Sequence, residues 1–219
     1  MRTVRQQGEA RRDQIAQAVL GLVAEHGMSA LSVAAVAHRV GVAPSALYRH
    51  FPSKDAMLAG TLERVATQML GNLERARAGA RDPLDALERL LTMQAELVRG
   101  NRGIPFVLFS ESLQRSTEHR ERLGGFMGRF LGALVAQVRE AQDAGQVRRD
   151  LPAEALAVTF IGLYVPPAIL WNMSGGRFDI TGQVRRAWQV FRDGARPVSV
   201  PPTRPRPRAR VARRRRSHE

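Results

Sequence analysis

Apolar residues recur with the period of an α-helix along almost the whole of this 219-residue chain, and no convincing stretch alternates with the period of a strand. Ile15, Ala18, Val19, Leu22 and Val23 fall at i, i+3, i+4, i+7 and i+8, one stripe of a first helix that Gly27 can terminate. Ser32 stands where an N-cap belongs, ahead of Val33, Val36, Ala37 and Val40, a short second helix closed by Gly41. Pro44 suits the first turn of a third helix, expected over Pro44–Phe51 with Leu47 and Phe51 facing inward. Pro52 stops it, and Ser53 can cap a fourth whose stripe is Met57, Leu58, Leu62, Val65 and Met69.

Longer elements follow. Asp82-Pro83 reads as a cap and first-turn pair opening a helix with Leu84, Leu87, Leu90, Leu91, Leu97 and Val98 inside. Gly100 to Gly103 should break it, and IPFVLFSESL starts another after Pro105. Residues 123–138 make the cleanest amphipathic pattern, and Ile180, Val184, Ala187, Trp188 and Phe191 mark a last helix. The fold class is all-α, of about nine helices.

Residues 155–176 carry no charge, enough apolar length to span a bilayer. Gly162, Pro166 and Pro167 interrupt the run, Thr159 and Asn172 add polarity, and no second such segment exists. The expectation is a buried helix, kinked at the double proline and close to a subunit interface, with no membrane partner.

The formal charge of +14 points towards a polyanion, but it is unevenly spread. Residues 196–219 hold nine arginines and one glutamate, a net +8, leaving +6 on residues 1–195. All but one of the 34 basic residues are arginine, and the sole lysine is Lys54. The 196–219 segment lacks apolar periodicity and mixes proline with like charge; it should be a disordered tail able to add nonspecific DNA affinity. Cysteine is absent, which excludes disulfide and thiolate chemistry and suits a cytoplasmic protein. The amino terminus has no apolar run behind its arginines, as a secretory signal would. His26, His38, His50, His119 and His218 show no metal-ligand spacing, so neither a metal nor a cofactor is expected. With no glycine-rich phosphate loop after a strand and no nucleophile elbow, an enzyme is not expected.

Two short helices joined by a tight Gly-Val-Ala turn have the spacing of a helix-turn-helix, whose second helix enters the DNA major groove. Ser45, Ala46, Tyr48 and Arg49 project outward, and small side chains at the helix start allow close approach to base edges. Tyr48, His50 and Lys54 supply donors for phosphate oxygens, while Arg39 and Arg49 suit either a guanine edge or a phosphate.

The run LSVAAVAHRVGVAPSALYRHFPSKDAML, with the first helix ending at Gly27, resembles the DNA-binding domain of the TetR family of bacterial transcriptional regulators. Gly41-Val42 matches the family's turn, Leu47-Tyr48 with His50-Phe51 its recognition helix, and Ser53-Lys54 with Met57-Leu58 the start of its fourth helix. The resemblance implies that Tyr48, His50 and Lys54 contact phosphates, that Ser32 caps its helix and touches one too, and that Pro44, Ser45 and Ala46 lie against bases. Ala43 stands where the family commonly has a Ser or Thr cap, and Ser45 where glycine is frequent.

Residues 1–60 would then be the DNA-binding domain, 61–195 a helical effector-binding and dimerisation domain, and 196–219 the tail. The resemblance implies a homodimer through residues 152–173 and 179–194. Met93, Phe106, Phe109, Phe126, Phe130, Phe160, Tyr164 and Trp171 are the candidate effector-pocket residues, and their sparse charge favours a small hydrophobic ligand. The leading expectation is a dimeric repressor that leaves a palindromic stretch of double-stranded DNA when an effector binds. The alternative is a multi-site DNA-binding adaptor of the same fold that acts on a protein partner, as in nucleoid occlusion.

Overall fold

A computed structural model of the chain describes residues 2–108 and 117–197. The tail expectation for 198–219, and Phe109, lie outside the described residues. Among those described there is helix and no strand. In chain order the helices are α1 (Arg2–His26), α2 (Val33–Val40), α3 (Pro44–Tyr48), α4 (Lys54–Ala78), α5 (Pro83–Gly100), α6 (Ile104–Leu108), α7 (Thr117–Asp143), α8 (Ala153–Gly162), α9 (Val165–Met173) and α10 (Ile180–Gly194). A single 3₁₀ turn, Met28–Ala30, follows α1. Taking α8 and α9 as one broken element gives the expected nine.

Helix ends follow the side-chain chemistry closely. Ser32 Oγ accepts the Ala35 N–H at 3.1 Å, Ser53 Oγ that of Ala56 at 3.0 Å, and Asp82 that of Asp85 at 2.9 Å. Gly41 closes α2 in the left-handed region at φ 72°, and the next residue, Val42, donates back to Ala37 O at 3.0 Å. Three elements differ from the expectation. The first helix begins at Arg2, well before its apolar stripe. The third stops at Tyr48 instead of Phe51, because Pro52 disfavours helical dihedrals at the residue before it. The last turn is still tied down, since His50 and Phe51 both donate to Leu47 O at 2.9 Å. Finally, the double proline breaks its helix outright at Leu163-Tyr164: two residues without N–H cannot return bonds to the preceding turn, so they open α9 instead.

Two apolar cores result. The first gathers Ile15, Val19, Val23, Val33, Val36, Leu47, Met57 and Leu58 from α1–α4. The second joins the later part of α4 to α5 and α7–α10 around Leu87, Leu91, Phe130, Leu134, Phe160 and Trp188. Helix α4 runs through both, contributing Val65 to one and Leu73 and Ala76 to the other. Buried Asn72 and Gln94 lock it to α5: the Asn72 amide donates to Gln94 Oε1 (3.4 Å), and that of Gln94 to Met69 O (3.2 Å).

A second link ties the halves together. Ile104 and Val107 of α6 are buried in the first core, not the second. Just before them, Gly103 lies so close to α1 that a Cβ there would stand 2.2 Å from Leu20 O. Asn101, which ends α5, accepts from Gln17 of α1 at 2.8 Å. Ala153–Met173 is apolar and long enough to cross a bilayer by length and composition. Here its Leu156, Ala157, Phe160, Tyr164, Ala168 and Trp171 are packed into the second core.

Candidate nucleic-acid interface

Helix α3 stands on one buried side chain, Leu47, only 1% exposed, whose burial contributes about 1.5–3 kcal/mol. That anchor turns the rest of the helix outward. Pro44, Ser45, Tyr48, Arg49 and His50 are exposed and Ala46 is half-buried. The side chains nearest the start of α3 are small, so backbone and base edge can approach, and the larger donors lie at its end. This is the division of labour that phosphate contacts and base contacts require. Ala43 offers no side-chain cap, and Pro44 takes the first turn, where a missing N–H costs nothing.

Lys54 and Ser53 begin α4 directly beyond the Pro52 turn. The Lys54 ammonium donates to Met28 O of the 3₁₀ turn at 2.9 Å and is half-buried. One of its three protons is thereby spent on fixing its position, and two remain for an incoming oxygen. Ser32 is exposed, with its hydroxyl engaged in capping α2.

Arg39 behaves differently. Its guanidinium is held by both carboxylate oxygens of Glu25, at 2.7 and 2.6 Å, and lies across Gly21. The Arg39 hydrogen bonds hold the Glu25 carboxyl below the usual carboxylate range, and in turn raise Arg39. A base or phosphate contact by Arg39 must compete with that fork. Arg49 has no such partner among the described residues, which makes it the better placed of the two arginines.

Arg12 was not singled out by its sequence pattern. It lines, with His50, Ser53, Asp55, Arg64 and Arg122, a cleft of about 660 Å³ beside the α3–α4 turn. Arg64 is paired with Asp13, which pins α4 to α1 at this point. The only advance signal was the Arg11-Arg12 doublet just before the apolar stripe, which a solvated helix start would equally carry.

The candidate effector residues separate into three settings. Phe130 and Phe160 are fully buried, and Tyr164 and Trp171 nearly so. Phe160 meets Tyr164 and Phe191 edge-on, with ring centroids 6.4 and 6.2 Å apart, as core aromatics do. Burial raises the Tyr164 hydroxyl pKa far above its ordinary value. Met93 packs against the same core, and Phe106 is exposed on α6. Phe126 lines a cleft of about 630 Å³ between α4 and α7. Leu62, Ala66, Leu70 and Leu123 supply its apolar wall, and Glu63, Glu121, Arg122 and Arg129 its polar rim. No group of three or more metal-ligating side chains occurs among the described residues.

Comparison with known proteins places this arrangement. Residues 15–61, which span α1 to the first turns of α4, match the model of the bacterial regulatory proteins of the tetR family. The nucleoid occlusion factor SlmA of Marinomonas sp. (strain MWYL1) is 30% identical over 132 residues, covering 60% of this chain and 67% of that protein. Among solved structures, the fatty acid degradation regulator FadR from Bacillus halodurans superposes with a TM-score of 0.71 at 22% identity, over 84% of this chain and 95% of that one. FadR from Bacillus subtilis in complex with stearoyl-CoA gives 0.69 at 19% identity, over 83% and 97%. The structural likeness carries the fold through the helices of the second core, and the matched segment is the one that builds the outward face of α3. The chain belongs to the TetR family of bacterial regulatory proteins.

Proposed function

We propose that the protein is a dimeric transcriptional repressor that works on the nucleoid in the cytoplasm, with α3 of each protomer in successive major grooves of a palindromic operator. The observation that carries this reading is the exposed row Ser45, Tyr48, Arg49 and His50 on a helix anchored by Leu47, with Lys54 held beside it by Met28 O. Ser45, Ala46 and Pro44 are assigned to base edges, and Tyr48, His50, Lys54 and Ser32 to phosphates; Arg49 takes either. The second domain supplies the dimer. Val158, Leu170, Met173 and Val190 are exposed large apolar side chains on α8, α9 and α10, where water is a poor partner and a second copy a good one. Pairing two reading heads one DNA turn apart multiplies specificity. An effector whose apolar part lies against Phe126, Leu123 and Leu70 would loosen DNA binding to the extent that it prefers α4 in a different setting.

A second reading has its own support. Phe130, Phe160, Tyr164 and Trp171, four of the residues expected near an effector, are packed in the second core, and the curated relative named above is a nucleoid occlusion factor. The protein would then be a multi-site DNA-binding adaptor that acts on a protein partner. Mapping the chromosomal sites bound by the purified protein separates the two. A few palindromes beside promoters support the repressor, and dozens of sites scattered outside promoters support the adaptor. Binding without sequence preference would overturn both.

A further inference from the structure

The α4–α7 cleft and the cleft beside the α3–α4 turn share a stretch of wall: Ala59, Glu63, Thr67 and Arg122 line both. Together the two clefts follow one side of α4 from Leu70 back to Asp55, a rise of about 22 Å along the helix axis. Their ends differ in chemistry. At the far end Leu62, Ala66, Leu70, Leu123 and Phe126 offer an apolar wall. At the near end Arg12 of α1 shares the cleft with His50 and Ser53, which flank the Pro52 turn. Ser53 Oγ accepts from the Ala56 N–H at 3.0 Å and keeps its own proton to donate.

Charge is ordered along this groove. At the junction Arg122 of α7 donates to Glu63 of α4 at 2.9 Å, and both side chains are more than half exposed. Such a pair adds little stability, so it is a weak barrier between the clefts. Arg64 is paired with Asp13, and Asp55 is engaged as well. Arg12 is exposed and makes no ion pair or hydrogen bond among the described residues. The near cleft thus sets three arginines and His50 against two carboxylates, with one arginine uncommitted. We propose that the two clefts form one binding site for an amphipathic anion, its apolar tail between α4 and α7 and a phosphate head at Arg12, His50 and Ser53. The head takes the place of an operator phosphate, so ligand and DNA exclude each other at His50. The proposal rests on the effector reading of the α4–α7 cleft and on the assignment of α3, and it adds where the charged end of the effector goes.

Other occupants match one end of the groove and not the other. A wholly apolar ligand leaves Arg12 and His50 unanswered. A small free anion gains nothing from Phe126 and its neighbours, and a cationic head meets three arginines. A molecule with an apolar tail and an anionic head satisfies both ends. Displacement of DNA by occupation also differs from displacement by resetting α4. Coupling between two separate sites weakens DNA binding by a fixed factor and then saturates. Direct exclusion has no such ceiling: above the Kd of the ligand, each tenfold rise in its free concentration weakens DNA binding at least ~10-fold further.

The probe is dodecyl phosphate below its micelle threshold, with dodecanol as the headless comparison and inorganic phosphate as the tailless one. Calorimetry without DNA should show dodecyl phosphate binding the full chain at least ~10-fold more tightly than dodecanol does, the size expected of one hydrogen bond to a charged group. Inorganic phosphate should give no measurable binding. Arg12→Gln should erase the difference between the two amphiphiles, and Arg12→Lys should keep most of it. Fluorescence anisotropy of the unaltered chain on a fixed duplex should then show displacement by dodecyl phosphate without a ceiling. Equal affinity for the phosphate and the alcohol overturns the head site and leaves the α4–α7 cleft as the effector's. An undiminished difference in Arg12→Gln puts the head elsewhere and overturns the proposal. So does a ceiling on displacement, which means that the ligand acts by moving α4. Absence of binding by either amphiphile refutes the effector cleft itself, and the proposal with it. A chain that binds no duplex before ligand is added refutes the assignment of α3 and the exclusion built on it, a result visible without any ligand.

Discussion

Lys54→Met separates the structural bond of this side chain from its proposed contact to a phosphate. Methionine keeps the apolar stem at the start of α4 and removes the ammonium. The lost bond to Met28 O, 2.9 Å long and partly shielded, is expected to cost about 1 kcal/mol of stability. For a chain of this size that lowers the melting temperature by roughly 2–4 °C in the absence of DNA. The lost phosphate contact has another signature. Each contact contributes ~0.9 to the slope of log K against log salt, so a dimer losing two shows a slope shallower by ~1.8. Over a fourfold rise from 50 to 200 mM salt, the deficit of the variant relative to the unaltered protein should shrink by about 12-fold. Fluorescence anisotropy with a fixed duplex at four or five salt concentrations reads the slope, and calorimetry without DNA reads the melting point. Lys54→Arg should restore the slope. A lowered melting temperature with an unchanged slope would refute the assignment and leave Lys54 as a strut between α4 and the 3₁₀ turn.

The dimer face is tested by Val190→Glu, a site 76% exposed where the protomer should keep its fold; sedimentation velocity should show monomers, and operator affinity should fall with them. The α5 cap is tested by pH. The N–H of Asp85 holds the Asp82 carboxyl below its ordinary range, so its contribution is complete above the unfolded value of about 3.9 and is lost as pH falls through the lowered folded one. Asp82→Asn, which still caps, should therefore lose less stability than the unaltered chain between about pH 4 and pH 2 in thermal melts. Asp82→Ala should cost about 1 kcal/mol at neutral pH. Gly103→Ala forces a Cβ onto the backbone at Leu20 O and should destabilise the chain by about 1–3 kcal/mol in denaturant titrations; an unchanged midpoint would show that the α5–α6 corner yields freely.

The elements that could be read in advance are those whose cause is local. Ser32, Ser53 and Asp82 cap because the acceptor and the N–H three residues on belong to one turn, and Gly41 ends α2 because of its own dihedrals. Those signals sit within a few positions of each other, so the sequence displays them. The extent of α1 was hidden because Val4 and Ala10 are the only apolar side chains among residues 2–14, too few to carry a period. The aromatics of the second domain were legible as apolar and nothing more. Phe126 facing a cleft and Phe160 filling the core carry the same signal in sequence, and only the crossing of α4 by α7 separates them.

The partners of the interface arginines were the least legible of all. Arg39 meets Glu25 across 14 positions, and Arg64 meets Asp13 across 51, on helices whose packing no local rule specifies. The same holds for the corner where Trp171 of α9 stacks on Arg102, with 5.4 Å from guanidinium carbon to ring centroid, while Gly103 next to it touches α1. One residue separates a contact to the proposed dimer element from a contact to the reading domain. The glycine pair around Arg102 reads in sequence as a simple helix break, yet the chain needs glycine at 103 for a second reason: Leu20 O occupies the space of a side chain. A corner packed that tightly leaves little room between α1 and the Arg102–Trp171 contact. In the proposed dimer, this corner would place α9, which bears exposed Leu170 and Met173, one residue away from the packing of α1 beneath the recognition helix.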